Sequence, residues 1–193
     1  VCPDASSSSQ IVYHLAMAMA LPIDADVAVQ LYTGIVFDTG GFRYSLATAT
    51  TLEVGADLVR RGARLDLVAE RVFGDRAAAE VRQLGQALRT LTLHCAGRVV
   101  TMHLTYAQLR PGDPEDVANQ GLSIHGVQAA VLMREHAPAQ YRVSLRSKAP
   151  IDVGQVARQF GGGGHANAAG CRLEGALEEV QRRLVEAIEQ RLA

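Results

Sequence analysis

The chain has 193 residues, a formal net charge of −1 and 48% hydrophobic residues, which suits one large domain or two small ones with a real core. The near-neutral charge excludes the wrapping of long duplex nucleic acid by bulk electrostatics, but leaves room for a short phosphorylated ligand in a local pocket. No apolar run reaches membrane-spanning length, no signal peptide is visible, and Cys2, Cys95 and Cys171 lack C-x-x-C spacing, so a cytoplasmic protein with reduced thiols and no membrane partner is expected.

Residues 6–20 read as a helix, with Ser7 and Gln10 at capping-box spacing and an apolar stripe of Ile11, Val12, Leu15 and Met19. Asp24 caps a second helix over 25–37; Asp24 and Asp26 stand two apart on it, do not face each other, and read as helix-start residues rather than metal ligands. Asp38 differs. It follows Ile35-Val36-Phe37 and precedes Thr39-Gly40-Gly41, so its carboxylate is either poised for a metal or substrate or engaged in an Asx turn. Phe42, Arg43 and Tyr44 then offer stacking and anion-pairing groups, or core and surface. Thr50-x-x-Glu53 reads as a capping box opening a helix to about Arg61, with Gly62 as its C-cap, and residues 64–73 form a short helix closed by Gly74-Asp75. The pattern from Arg76 to about His94 predicts a long connector helix between two lobes, carrying Ala79, Val81, Leu84, Leu88 and Leu91.

A second lobe is expected from about Gly97. Val99–Thr105 is β-branched and strand-like, Pro111-Gly112-Asp113-Pro114 is a turn, and Glu115–Asn119 starts a short helix. Val127–Arg134 and Gln140–Ser147 read as strands separated by His136-Ala137-Pro138. Asp152 caps a helix to Phe160, Gly170–Leu173 is a short strand, and Leu177–Leu192 an amphipathic terminal helix. His14, His94, His103, His125 and His136 show no metal-ligand spacing and read as surface or satisfied core residues.

The stretch that carries chemistry is Gly161-Gly162-Gly163-Gly164-His165-Ala166-Asn167-Ala168-Ala169-Gly170. Four glycines in a row fit neither helix nor strand interior and imply positive φ or a very close approach. Successive backbone N–H groups there would cradle a phosphate as a nest, with His165 at its lip. The alternative, a flexible linker, usually carries Ser and Thr rather than a histidine and an alanine cluster.

GGGGHANAAG resembles the GGGH-x-x-A-A-G signature of the DHHA1 domain of DHH phosphoesterases. Thr33-Gly34-Ile35-Val36-Phe37-Asp38-Thr39-Gly40-Gly41-Phe42-Arg43-Tyr44-Ser45 is similar to the segment closing the DHH catalytic domain of the nanoRNase-like branch. Val143-Ser144-Leu145-Arg146-Ser147 is similar to the strand facing the glycine loop there. The resemblance implies an α/β fold in three parts. Residues 1–75 would be the helical remnant of the DHH lobe, 76–96 a long connector helix and 97–193 a mixed α/β DHHA1 substrate-binding lobe. It implies metal-assisted hydrolysis of short oligoribonucleotides, pAp or dinucleotides, with Mn2+ as cofactor. Catalytic roles fall on Asp38, also the metal ligand, and on His165. Substrate binding falls on Arg43, Asn119, Arg146, Ser147, Gly161, Gly162, Gly163, Gly164 and His165.

The chain departs from that pattern in having no DHH triplet, and by resemblance it begins just after the place where one would lie. Only Asp38 matches a family metal ligand, so this chain, which opens on Val1, reads as the C-terminal part of such an enzyme and is expected to be inactive and weak in metal binding alone. The alternatives are a non-catalytic nucleotide- or phosphate-binding module and a fragment of a RecJ-like single-strand exonuclease. The expected partners are short RNA or nucleotide phosphates, and a homodimer is left open.

Overall fold

The computed structural model describes residues 5–44, 46–109 and 115–192. Cys2, Ser45 and the turn expected at 111–114 lie outside the described residues. The chain divides into two units, Val1–Arg76 and Ala77–Ala193.

Every regular element described in the first unit is helical: α1 (Ser8–Ala18), α2 (Ala25–Asp38), α3 (Ala49–Arg60) and α4 (Leu65–Ala69), the last running into a π-helical turn at Glu70–Gly74. Ala28, Leu31, Tyr32 and Ile35 recur at helical spacing on α2 and meet Val54 and Leu58 of α3 in a shared apolar core. As expected, Ser7 caps α1 by accepting from the Gln10 N–H, and Asp24 caps α2 by accepting from the Val27 N–H. The Gln10 side chain turns elsewhere: its Oε1 accepts from the Ser6 N–H and hydroxyl and from the Thr51 hydroxyl, tying α1 to α3 within the core. The capping box expected at Thr50-Glu53 is corrected to Thr48 and Thr51, because the chain enters α3 two residues earlier and the Thr51 hydroxyl reaches back to the Thr48 N–H. Tyr13 and Arg61 both donate to the Asp57 carboxylate, at 2.8 and 2.6 Å.

The second unit starts with α5 (Ala78–Leu88) and then builds a sheet from β1 (Thr92–His94), β2 (Val99–Leu104), β3 (Ala129–Ala137), β4 (Gln140–Ser147), β5 (Gly163–His165) and β6 (Ala168–Glu174). The helices α6 (Glu115–Leu122), α7 (Val153–Gln159) and α8 (Leu177–Glu189) complete it. The long helix expected to His94 is therefore corrected. It stops at Leu88, where the Thr90 hydroxyl donates to the Ala87 carbonyl and accepts from the His103 N–H, drawing the following residues into a hairpin with β2. A pattern of Leu every three or four residues cannot report that competing strand pairing. Ala87 of α5 packs with Met102, Leu104 and Leu132, so the helix belongs to this unit's layering.

The sheet order is β1-β2-β3-β4-β6-β5, with β2 and β3 parallel across α6 and the other pairs antiparallel. Alternation sorts the strands into two faces. Val131 and Met133, Tyr141, Val143 and Leu145, and Ala169, Cys171 and Leu173 turn to one face. There Val153 and Val156 of α7 and Val180, Leu184 and Ile188 of α8 complete the main core. On the other face α5 and α6 cover β2 and β3 through Met102, Leu104 and Leu132. Among the described residues, a stretch of that face on β4, β6 and β5 carries no helix, and the candidate site lies there.

Candidate functional site: an arginine-lined cleft on an open sheet face

The open face is built by register. Arg146 pairs with Ala168, which pairs with His165; Ser144 pairs with Gly170, which pairs with Gly163; Arg142 pairs with Arg172 on one side and Arg134 on the other. Directly paired residues share a face, so each set forms a row across the strands. His165 apart, these rows and the glycine run line a cleft of about 790 Å³, within the range of small-molecule sites. Arg134 reaches across to donate from Nη2 to the Ser144 hydroxyl at 3.1 Å, and Arg146 donates from Nη1 to the Leu145 carbonyl at 3.2 Å.

The glycine run works differently from the nest expected of it. The Gly161 and Gly162 N–H groups donate to the Arg158 and Ala157 carbonyls and close the end of α7. Gly163 and Gly164 then continue as β5, paired with Gly170 and Ala169. These two of the four amides are thus engaged within the chain, which leaves the arginines as the charged groups lining the cleft. Gly161 (φ 72°) and Gly164 (φ 142°) need glycine for their backbone angles. At Gly162 a Cβ would overlap the Gly170 carbonyl oxygen and the Cys171 backbone. Gly163 is the exception: its φ is ordinary and a Cβ would meet nothing within 4 Å.

His165 is exposed at the end of β5, on the row of Arg146, and is not among the residues lining the cleft. The two-residue turn after it, Ala166-Asn167, is pinned from both sides. Asn167 Nδ2 donates to the Ser147 carbonyl at 3.1 Å, the Ser147 N–H donates to the Asn167 carbonyl, and the Val153 N–H donates to the Ala166 carbonyl. Ser147 itself is buried and its hydroxyl donates to the Ile151 carbonyl at 2.6 Å. That proton is committed inward, so the ligand role expected of Ser147 is corrected to one of positioning the hairpin. Asn119 sits half-buried on α6 and does not line the cleft. Cys171 borders the cleft, but burial pushes its thiol up to about 11, with Arg183 opposing the shift, so it stays protonated and is no nucleophile at neutral pH. Cys95 and Cys171 are both free thiols.

Asp38 closes α2 in the first unit. The Gly40 and Gly41 N–H groups donate to the Phe37 and Val36 carbonyls, and the buried Thr39 hydroxyl accepts from the Phe42 N–H. The helix end is thus closed without the Asp38 side chain. Its carboxylate is exposed and makes no hydrogen bond or ion pair among the described residues, so the Asx-turn alternative does not hold. Arg43 donates from Nε to the Gly40 carbonyl and lies over the Phe73 ring at 5.5 Å, which fixes it on the turn. Among the described residues no three His, Cys, Asp or Glu side chains come together, so Asp38 is a single donor and the residues present do not by themselves make a metal centre.

Sequence reasoning passed over Arg134, Arg142 and Arg172. Part of the signal was there: in Tyr141-Arg142-Val143-Ser144-Leu145-Arg146 every second residue is polar, which puts Arg142 on the face of Arg146. The company of Arg134 and Arg172 depends on strand register, which no local pattern contains.

Helices α7 and α8 cover one face of the mixed sheet and α5 and α6 part of the other, whose remaining stretch is lined by arginines, side chains whose planar fork matches phosphate oxygens. Among known proteins, residues 97–193 match the DHHA1 domain, and the chain belongs to the DHHA1 family. It is similar over its whole length, at 31% identity, to the bifunctional oligoribonuclease and PAP phosphatase NrnA of Thermus thermophilus, spanning 59% of that protein. It is 29% identical over 86% of its length to the A-adding tRNA nucleotidyltransferase of Geobacter sulfurreducens, of which it spans 19%. The crystal structure of an exopolyphosphatase-related protein from Bacteroides fragilis superposes with a TM-score of 0.91 at 28% identity, over 97% of this chain and 57% of that one. The chain thus spans little more than half of these two longer relatives, the oligoribonuclease and the exopolyphosphatase-related protein. No helix among the described residues is long and apolar enough to cross a membrane.

Proposed function

We propose that the chain is the substrate-holding part of a phosphoesterase acting on short oligoribonucleotides or on nucleotide phosphates such as pAp. The observation that carries this is the open, arginine-lined sheet face beside the glycine run. Arg146 presents a planar fork that matches two oxygens of one phosphate, and His165, in the same row, donates a further hydrogen bond to it. The pinned Ala166-Asn167 turn holds His165 at the edge of that row. The name of the Thermus relative, which couples an oligoribonuclease to a PAP phosphatase, favours a nucleotide over a bare phosphate.

Asp38 contributes one carboxylate to hydrolysis, with Arg43 and Asn119 as weaker candidates for substrate contact. Manganese rests on the family resemblance, since one carboxylate is one donor of the several a divalent ion requires.

The test is calorimetric titration of the chain with pAp and with adenosine. Binding of pAp, little or none of adenosine, and a loss of about 1.5–3 kcal/mol in Arg146→Ala are expected, the range for hydrogen bonds to charged groups. Equal affinity for adenosine and pAp would place the phosphate outside this cleft.

A further inference from the structure

Arg142 and Arg172 stand directly opposite each other on β4 and β6, and Arg134 faces Arg142 from β3. Like charges paired across strands destabilise a sheet. Arg142 and Arg172 are exposed, and neither forms an ion pair among the described residues. The next row along, Gln140 and Glu174, places a carboxylate at the far border, also without an ion pair among the described residues. The arginine row therefore ends at a defined edge.

Towards Arg146 and His165 the neighbouring row is Ser144, Gly170 and Gly163, a strip almost without side chains. At Gly163 neither backbone angle nor packing requires glycine. A bare position facing a cleft, with no internal reason to be bare, marks where something else lies against the backbone. The strip is flanked on each side by a basic row about 7 Å away, two residues along the strands. Arginine stems are long enough to lean inward over it from both sides, and Arg134 already does so through its bond to Ser144.

Resting on the phosphate reading of the cleft, we propose that the Arg134–Arg142–Arg172 row is a second phosphate subsite and that the bare strip receives the nucleoside between two phosphates. The ligand chemistry this selects is a nucleoside phosphorylated on both sides. Either a 3′,5′-bisphosphorylated nucleotide or the 5′ end of a phosphorylated oligonucleotide supplies it. Two phosphates joined directly lack the spacer and gain nothing from the second row.

The experiment is calorimetry on this chain with AMP, pAp, pApA, orthophosphate and pyrophosphate. We expect pAp and pApA to bind at least tenfold more tightly than AMP, with pyrophosphate no better than orthophosphate. In Arg142→Gln/Arg172→Gln the tenfold advantage disappears while AMP affinity holds within about twofold, and in Arg142→Lys/Arg172→Lys, which keeps the charge, part of it returns. The dependence of pApA affinity on salt should weaken in the glutamine variant, which has lost two charges. A gain for pApA alone supports the subsite with the oligonucleotide as its source; a gain for both supports it for the shared chemistry. AMP binding with no gain for either ligand, or a gain that survives the glutamine pair, overturns this proposal alone. No binding of AMP overturns both it and the phosphate reading. Thermal melts of the variants confirm folding, and removal of the opposed charges should not lower Tm.

Discussion

At the scale of single residues, the four glycines divide by physical role. Gly162 is bare because the β6 backbone leaves no space, so Gly162→Ala should destabilise by about 1–3 kcal/mol, the usual effect of forcing an extra group into a packed region. Gly163 faces open space, and Gly163→Ala should leave the melt within about 0.5 kcal/mol yet weaken pAp binding severalfold. Paired thermal melts and titrations of the two variants separate the roles; a large stability loss at Gly163 would show that packing explains it after all. His165 is exposed and its ring makes no hydrogen bond or ion pair among the described residues, so His165→Ala should cost about 1.5–3 kcal/mol of pAp affinity with Tm unchanged. A collapsed melt with intact affinity would make His165 structural.

At the scale of elements, capping and a shared carboxylate govern the helices of the first unit. Thr48 carries the N-terminal cap of α3, so Thr48→Ala should cost about 1 kcal/mol, and Thr50→Ala far less, in urea unfolding. Asp57 of α3 is held below the ordinary carboxyl range by its hydrogen bond from Arg61 and then by that from Tyr13, with burial opposing. A depressed folded-state value means that the stability is present above the unfolded pKa of about 3.9 and is lost as pH falls through the lower folded value. Acid titration of Tm should therefore fall more steeply below about pH 4 in the native chain than in Asp57→Asn, and parallel curves would remove Asp57 as the cause. The elements of the second unit show where periodicity misleads. A helical pattern ran on through Thr90-Leu91-Thr92-Leu93, but the Thr90 hydroxyl bonds to α5 and β2 and ends the helix.

At the scale of the molecule, each unit has its own apolar core, and the residues lining the cleft all belong to the second unit. Residues 77–193 should therefore fold alone with a cooperative melt and bind pAp as the whole chain does. A non-cooperative melt or lost affinity would show that the first unit supports the site. Leu184 and Ile188 of α8 are fully buried in that core, so Leu184→Ala should cost about 2–5 kcal/mol.

The sequence alone determined the helix starts at Ser7, Asp24 and Asp152, the alternation of β4, the amphipathic α8 and the backbone need for glycine at Gly161, Gly162 and Gly164. All of these are local: a cap reaches three residues along, and a period of two or of about four is written in consecutive letters. The end of α5 and the conversion of the run's second half into strand β5 were decided by tertiary structure, through the His103 amide for α5 and pairing with Gly170 for β5. The Gly161 and Gly162 amides and the Ser147 hydroxyl instead close on carbonyls three to five residues away, local bonds that the residue letters alone do not specify. The basic row is the clearest instance. Arg134, Arg142 and Arg172 are scattered in sequence and become one row because backbone hydrogen bonds set the register of three strands, and side-chain alternation then turns all three to the same face.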